Sequence, residues 1–229
     1  MGMRMWGDKE SFHNLHEMLE ECWCCKDCIM TDAESCSYVG IISFFAYDVR
    51  HTCQGDNLVK MCGKMIPHWN DEIAKVYEES PECFEVGMEL SWPHWIFIMA
   101  SWWECFRRQE YPTALLPVMR DITKHVERLL KQRSRVNYNL IEPYLHGAIY
   151  AHCPYLMHVM EHVNIRYLIE SQYKDVTVKQ LANHMKCACH GTKEYNDYMT
   201  LLLSESERND CKIEELTLKT DDEACDMPL

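Results

Sequence analysis

Leu115, Met119, Ile122, Val126 and Leu129 recur at intervals of four, three, four and three residues. That rhythm returns a side chain to one side of an α-helix turn after turn. Arg120, Lys124, Arg128, Lys131 and Arg135 run beside them, so the segment predicts an amphipathic helix with an oily seam and a cationic stripe. Weaker versions of the pattern recur along most of the chain, and two-residue alternation reads as nearly absent. The expected fold is therefore all-α: a single-domain helical bundle of about eight to ten helices. The domain is expected over residues 1–220, with 221–229 as a frayed acidic tail.

A chain of 229 residues can bury a sizeable core without disulfide or metal staples. Apolar residues at 47% and charged residues at 26% place it among ordinary folded proteins. Usage is flat: 14 Cys, 15 Met, 12 His and 7 Trp stand where helical proteins usually favour Ala and Leu, which raises an artificial or heavily diversified origin as a reading. The formal charge of −13 argues against nucleic-acid binding, which draws most of its affinity from cationic surface. Charge is unevenly spread. Residues 107–135 hold eight Lys or Arg against three acids, and residues 205–229 hold nine acids against three Lys or Arg. The stripe is thus a candidate interaction face for an acidic protein partner or for the chain's own acidic end.

The first ten residues carry Arg4, Asp8, Lys9 and Glu10 with no apolar segment, unlike a signal peptide. The longest apolar run, Trp95 to Trp103, is too short to cross a bilayer. No membrane association and a cytoplasmic setting with reduced thiols are the expectations.

Local signals divide the chain. Asp8 is placed to cap a first helix running to about Ile29, with Phe12, Leu15, Leu19, Cys22 and Trp23 facing inward. Cys36 to Val49 is apolar enough to require burial, and its length favours a helix. Asp56 is expected to cap a helix that Pro67 stops. Ser80 before Pro81 predicts another helix start, and Trp92–Pro93 ends that segment and opens a tryptophan-rich helix to Arg108. Helices are further expected over 113–133, from Pro154 to about Tyr173, from a Thr177/Gln180 capping box to about Lys186, and from Thr192 to Leu203.

Four constellations are candidates for chemistry or binding. His158, Glu161 and His162 spell H-x-x-E-H, which resembles the zinc motif of inverzincin peptidases. On a helix the two histidines lie one turn apart and can grip one ion, and the resemblance implies zinc with Glu161 as base; His146, His152 and Cys153 lie upstream as candidate third ligands. Cys22, Cys24, Cys25 and Cys28 crowd one segment, but a structural zinc needs a second such pair. Trp95, Trp102, Trp103 and Phe106 either fill a core or line a pocket for a small apolar ligand. Residues 176–195 resemble a helix-turn-helix, with Lys186 where that motif usually has glycine and with Glu194 and Asp197 on the second helix. Short likenesses to thiaminase-like and apoptosis-regulator bundles cover a few residues each and imply incompatible folds, so no family follows. The phosphate-cradling loops and the G-x-S-x-G elbow are absent.

The resulting expectation is a non-enzymatic helical binding or scaffold protein that needs no cofactor. The alternative is a metal-binding helical protein built on His158, Glu161 and His162.

Overall fold

A strand runs into a buried helix without a loop at Ser91–Trp92, and the other elements gather on that unit. The computed structural model describes residues 2–22, 37–66, 69–108 and 111–216. Within them lie four strands, β1 (Gly2–Gly7), β2 (Leu58–Met61), β3 (Lys64–Ile66) and β4 (Phe84–Ser91). The same described residues hold nine α-helices: α1 (Lys9–Glu21), α2 (Tyr38–Gln54), α3 (Asp71–Glu79), α4 (Trp92–Arg108), α5 (Leu115–Arg133), α6 (Tyr138–Leu145), α7 (Leu156–Tyr173), α8 (Val178–His184) and α9 (Lys193–Asn209). The protein is predominantly helical.

Helix α4 is buried from Trp92 to Trp102 apart from a half-buried His94, and it meets α2, α5, α6, α7, β1 and β4. A helix apolar on every side belongs at the centre of a fold. Helix α5 presents Leu115, Met119, Val126 and Leu130 to the interior, all fully buried, with Ile122 and Leu129 half-buried beside them. Asp8 caps α1 by accepting the Ser11 amide at 2.6 Å, and Phe12, Leu15 and Leu19 face inward as expected. The continuation of that helix toward Ile29, together with Trp23, Cys24, Cys25 and Cys28, lies outside the described residues. The Thr177/Gln180 capping box is present and opens α8. One cluster of buried side chains extends from Met3 to Ile213.

The helical expectation omitted the antiparallel sheet, ordered β1-β4-β2-β3, and two local expectations are corrected by it. Residues after Asp56 form the β2–β3 hairpin, not a helix ending at Ile66. Gly55, at φ 85°, ends α2 instead, with the Asp56 amide donating back to the His51 carbonyl at 3.0 Å. That is a Schellman-type closure, so the acid that looked like a helix start belongs to a helix stop. Likewise Pro81 begins only a 3-10 turn to Cys83, after which the chain extends as β4. Strand β4 does alternate: Phe84, Val86, Met88 and Leu90 are buried, while Glu85 and Glu89 are exposed.

The sheet's outer side is closed by Trp6, which lies over Gly87, with the Lys60 ammonium 3.6 Å from the ring centroid. A Cβ on Gly87 would sit 2.5 Å from the Trp6 ring and 2.9 Å from the Met5 carbonyl oxygen. Gly87→Ala is therefore expected to destabilise the fold by about 1–3 kcal/mol, the usual cost of forced overpacking, as read by urea unfolding.

Candidate functional site

Helix α5 carries the candidate site on the side turned away from α4. Its inner residues come every third or fourth position, which leaves Arg120, Lys124, Arg128 and Lys131 exposed on the helix and Arg135 just beyond its C-cap at Ser134. Lys124, Glu127, Arg128, Lys131, Gln132 and Arg135 line a shallow furrow of about 400 Å³. Arg120 lies outside it, one turn from Lys124. Four of the five cations of the sequence stripe thus share one surface feature.

The electrostatics of this face are open. Lys124 pairs with Asp121 at 3.3 Å and Lys131 with Glu127 at 3.5 Å, both within the helix and both exposed or half-exposed. Such pairs contribute roughly 0–1 kcal/mol each. Glu127 also meets the His146 Nε2 at 3.1 Å, and Lys131 lies 4.4 Å from the centroid of the Tyr138 ring. Arg128 contacts the His125 ring at 3.0 Å. Among the described residues no carboxylate lies within ion-pair distance of Arg120, Arg128 or Arg135. The one helix cation directed inward is Arg133, whose Nη2 donates to the Val176 carbonyl at 2.9 Å and so ties α5 to the segment before α8.

The histidines of the H-x-x-E-H pattern stand in separate surroundings. His158 is buried, and its Nε2 donates to the Leu216 carbonyl at 3.1 Å, while its Nδ1 has no partner among the described residues. His162, one turn on, stacks on Tyr198 with centroids 4.1 Å apart, and Glu161 is exposed. His152 belongs elsewhere: its Nε2 meets Glu104 Oε1 at 3.0 Å, and Arg108 lies at 3.2 Å. Among the described residues no group of three or more His, Cys, Asp or Glu side chains is arranged to hold a metal ion.

The aromatic set divides between core and rim. Trp95 is fully buried and its indole N–H donates to the Met3 carbonyl at 3.1 Å, pinning β1 across the sheet end. Trp102 is buried with its ring edge-on to Tyr111. Trp103, Phe106 and Tyr111 form a run of stacked rings, and His146 packs edge-on against Trp103. These rings are covered by one another. The open furrow lies on α5.

Two polar clusters escaped the sequence reading. Glu104, nearly buried, accepts from Arg107 at 2.9 Å, Arg108 at 3.0 Å and His152 at 3.0 Å. Burial pushes its carboxyl up, but the Arg108 hydrogen bond, the Arg107 charge and His152 outweigh that and hold it below the usual range. Glu170 accepts from Lys174, Gln180 and His184 at 2.6–2.7 Å, which joins α7 to α8. In both clusters the partners lie three or four residues apart or in another element, and only the first kind of spacing is visible in a sequence.

His94 and His162 are both driven down to about 4 by burial, with the Arg166 and His184 charges adding to the effect at His162. Their ordinary value is about 6.5, so the unfolded chain takes up these protons first as pH falls. The neutral rings thus contribute stability that is complete above about pH 6.5 and is lost progressively toward pH 4. Replacing both with Gln should flatten the change in unfolding free energy between pH 7 and pH 5 by on the order of 1–2 kcal/mol per histidine, measured by urea titration at each pH.

Among the described residues no helix is long and apolar enough to cross a membrane. No curated protein and no solved structure matches this sequence. A known family's sequence profile does match, over residues 1–225, and it lends no support to an artificial origin. The chain belongs to that family, which is described as a domain of unknown function (DUF6904).

Proposed function

We propose that this chain is a non-enzymatic binding protein whose α5 face holds an extended, acidic segment of another protein. The observation that supports it is the furrow lined by Lys124, Arg128, Lys131 and Arg135, in which Glu127 is the only acid. From Lys124 to Lys131 the helix rises roughly 10 Å, with successive cations about one turn, or 5.4 Å, apart, and Arg135 follows just past the C-cap. Alternate side chains of an extended peptide repeat every ~6.7 Å, so carboxylates at alternate positions fall close to successive cations. Exchanging the weak pairs to Asp121 and Glu127 for a partner's carboxylates costs little. The overall charge of −13 disfavours a nucleic acid on the same face.

Exposed ion pairs of this kind give modest affinity that falls with salt. A fluorescently labelled peptide alternating Glu and Ala should bind the full chain at low ionic strength and be released as salt rises through ~0.15 M. Reversing charge at Lys124→Glu and Arg128→Glu should weaken binding roughly tenfold or more, about 1.4 kcal/mol, in an anisotropy titration. Equal affinity of parent and variant would discard the proposal.

A further inference from the structure

The β2–β3 hairpin turns on Cys62 and Gly63, both with positive φ, at 49° and 78°. Two-residue turns of this kind draw Asn, Asp or Gly at the first position, because the left-handed region crowds Cβ against the next carbonyl. Cys62 is exposed, so packing does not repay that conformation. What the position supplies is a partner. The register that sets Met61 opposite Phe84 continues to Cys62 opposite Cys83, and the Cys62 amide donates to the Cys83 carbonyl at 2.7 Å. The Cys83 amide turns back to the Ser80 carbonyl at 3.1 Å, so one bond of the close pair is made; directly opposed residues of antiparallel strands lie about 4.5–5.5 Å apart at Cα, inside the roughly 4.4–6.8 Å that a disulfide spans.

Inward residues of β4 are even-numbered from Phe84 to Leu90, and Val59 is the buried residue of β2, so Lys60 and Glu85 face out; Cys62 follows at the exposed turn, and Cys83 is half-buried at the edge of the core. The neighbouring Cys62 thiol is the main influence holding the Cys83 thiol above its ordinary range, with burial and Glu82 adding. Cys62 is exposed and Cys83 half-buried, so an incoming reagent meets Cys62 first.

We infer that Cys62 and Cys83 form a redox-reactive pair that undergoes exchange with small-molecule disulfides of the glutathione type and closes into an intramolecular disulfide. The Cys62 thiolate attacks one sulfur of glutathione disulfide, forming a mixed disulfide and expelling one glutathione thiolate. The Cys83 thiolate then attacks the Cys62 sulfur, the Cys62–glutathione bond breaks, and a second glutathione thiolate leaves. The two protons lost by the protein thiols match the two that the departing thiolates can take up. Two cysteines are oxidised and one glutathione disulfide is reduced. The new bond fastens the hairpin turn to the entry of β4 and encloses β3 and α3 in a covalent loop, which suppresses local opening of the hairpin.

The full chain is equilibrated in mixtures of reduced and oxidised glutathione, free thiols are blocked, and the digest is analysed by mass spectrometry. The expected product is a peptide pair joined through Cys62 and Cys83. Cys83→Ser should instead trap glutathione on Cys62, and Cys62→Ser should leave Cys83 unmodified. Tryptic cleavage after Lys64, which lies inside the loop, should slow several-fold on oxidation of the parent chain and stay unchanged in the Cys83→Ser variant. A parent chain that retains glutathione on Cys62 with Cys83 still a thiol would overturn the inference. So would a Cys62 joined to any other cysteine, or a linked form cut after Lys64 as fast as the reduced one.

Discussion

Burial of α4 on every side is the constraint from which the remaining architecture follows. Trp92, Trp95, Phe97 and Trp102 each remove a large apolar surface from water, worth on the order of 2–3 kcal/mol apiece. A helix in that position must be surrounded, and α2, α5, α6 and α7 do so, with β4 entering it directly. Two of its polar groups reach other elements: the Trp95 indole donates to Met3 of β1, and Glu104 near its end recruits His152 as well as its own Arg107 and Arg108. The sheet, small as it is, is thereby tied to the helical body at the same centre. Breaking the Glu104 cluster by removing its cations would leave a charge stranded in low dielectric, which is costlier than the cluster's formation is rewarding.

The helices were legible where a seam of three-four spacing met a cap. Helix α5 and α8 show this: periodic apolar residues set which side goes inward, and Thr177 with Gln180 marks a start. Residues 84–90 were equally periodic, at two rather than 3.6, yet the Ser80–Pro81 signal and the helical neighbours on both sides drew the segment into the wrong class. Ser–Pro opens a 3-10 turn as readily as an α-helix, and nothing within four residues distinguishes the two. The hairpin was hidden for a related reason, since its turn is Cys-Gly where Asn-Gly or Asp-Gly would have announced it. The cationic stripe was legible as a row of residues, but the furrow was not, because its depth depends on how long side chains splay. Glu104 with His152 and Glu170 with His184 are contacts across elements, and a single sequence has no term for them.

The two kinds of acidic group in this protein behave oppositely, and the difference bears on α5. Glu104 and Glu170 are each held by three donors, at least one of them from another element, and these donors outweigh burial and hold both carboxyls below the usual range. Those pairs are part of the fold and do not exchange. The acids near the α5 stripe are held more loosely: Asp121 pairs with exposed Lys124 of its own helix, and Glu127 meets exposed Lys131 and His146. A surface built only for solubility would be expected to mix signs evenly. Here Arg128 and Arg135 lack carboxylate partners among the described residues while the chain as a whole is strongly acidic. Local positive potential on an acidic body favours a partner that presents carboxylates in one short stretch, because a larger acidic surface would meet repulsion from everything around the stripe.

The left-handed backbone positions sort in the same way into structural necessity and exception. Among the described residues Gly55, Gly63, Gly147 and Gly191 take four of six, and Asp210, at the end of α9, takes a fifth. Aspartate tolerates that region because its short polar side chain can bond locally. Cys62 is the sixth and, among the described residues, makes no such bond to its own backbone; its neighbour is a second thiol across the ladder. Conformational strain of on the order of 1 kcal/mol persists only where surrounding structure imposes it, and here the imposing structure is a three-strand register from Met61 through Phe84. A glycine at position 62 would relieve the turn and keep the backbone hydrogen bond to Cys83. What it would lose is the sulfur, which makes the thiol, rather than the backbone, the part of this residue that the turn's geometry leaves unexplained by packing alone.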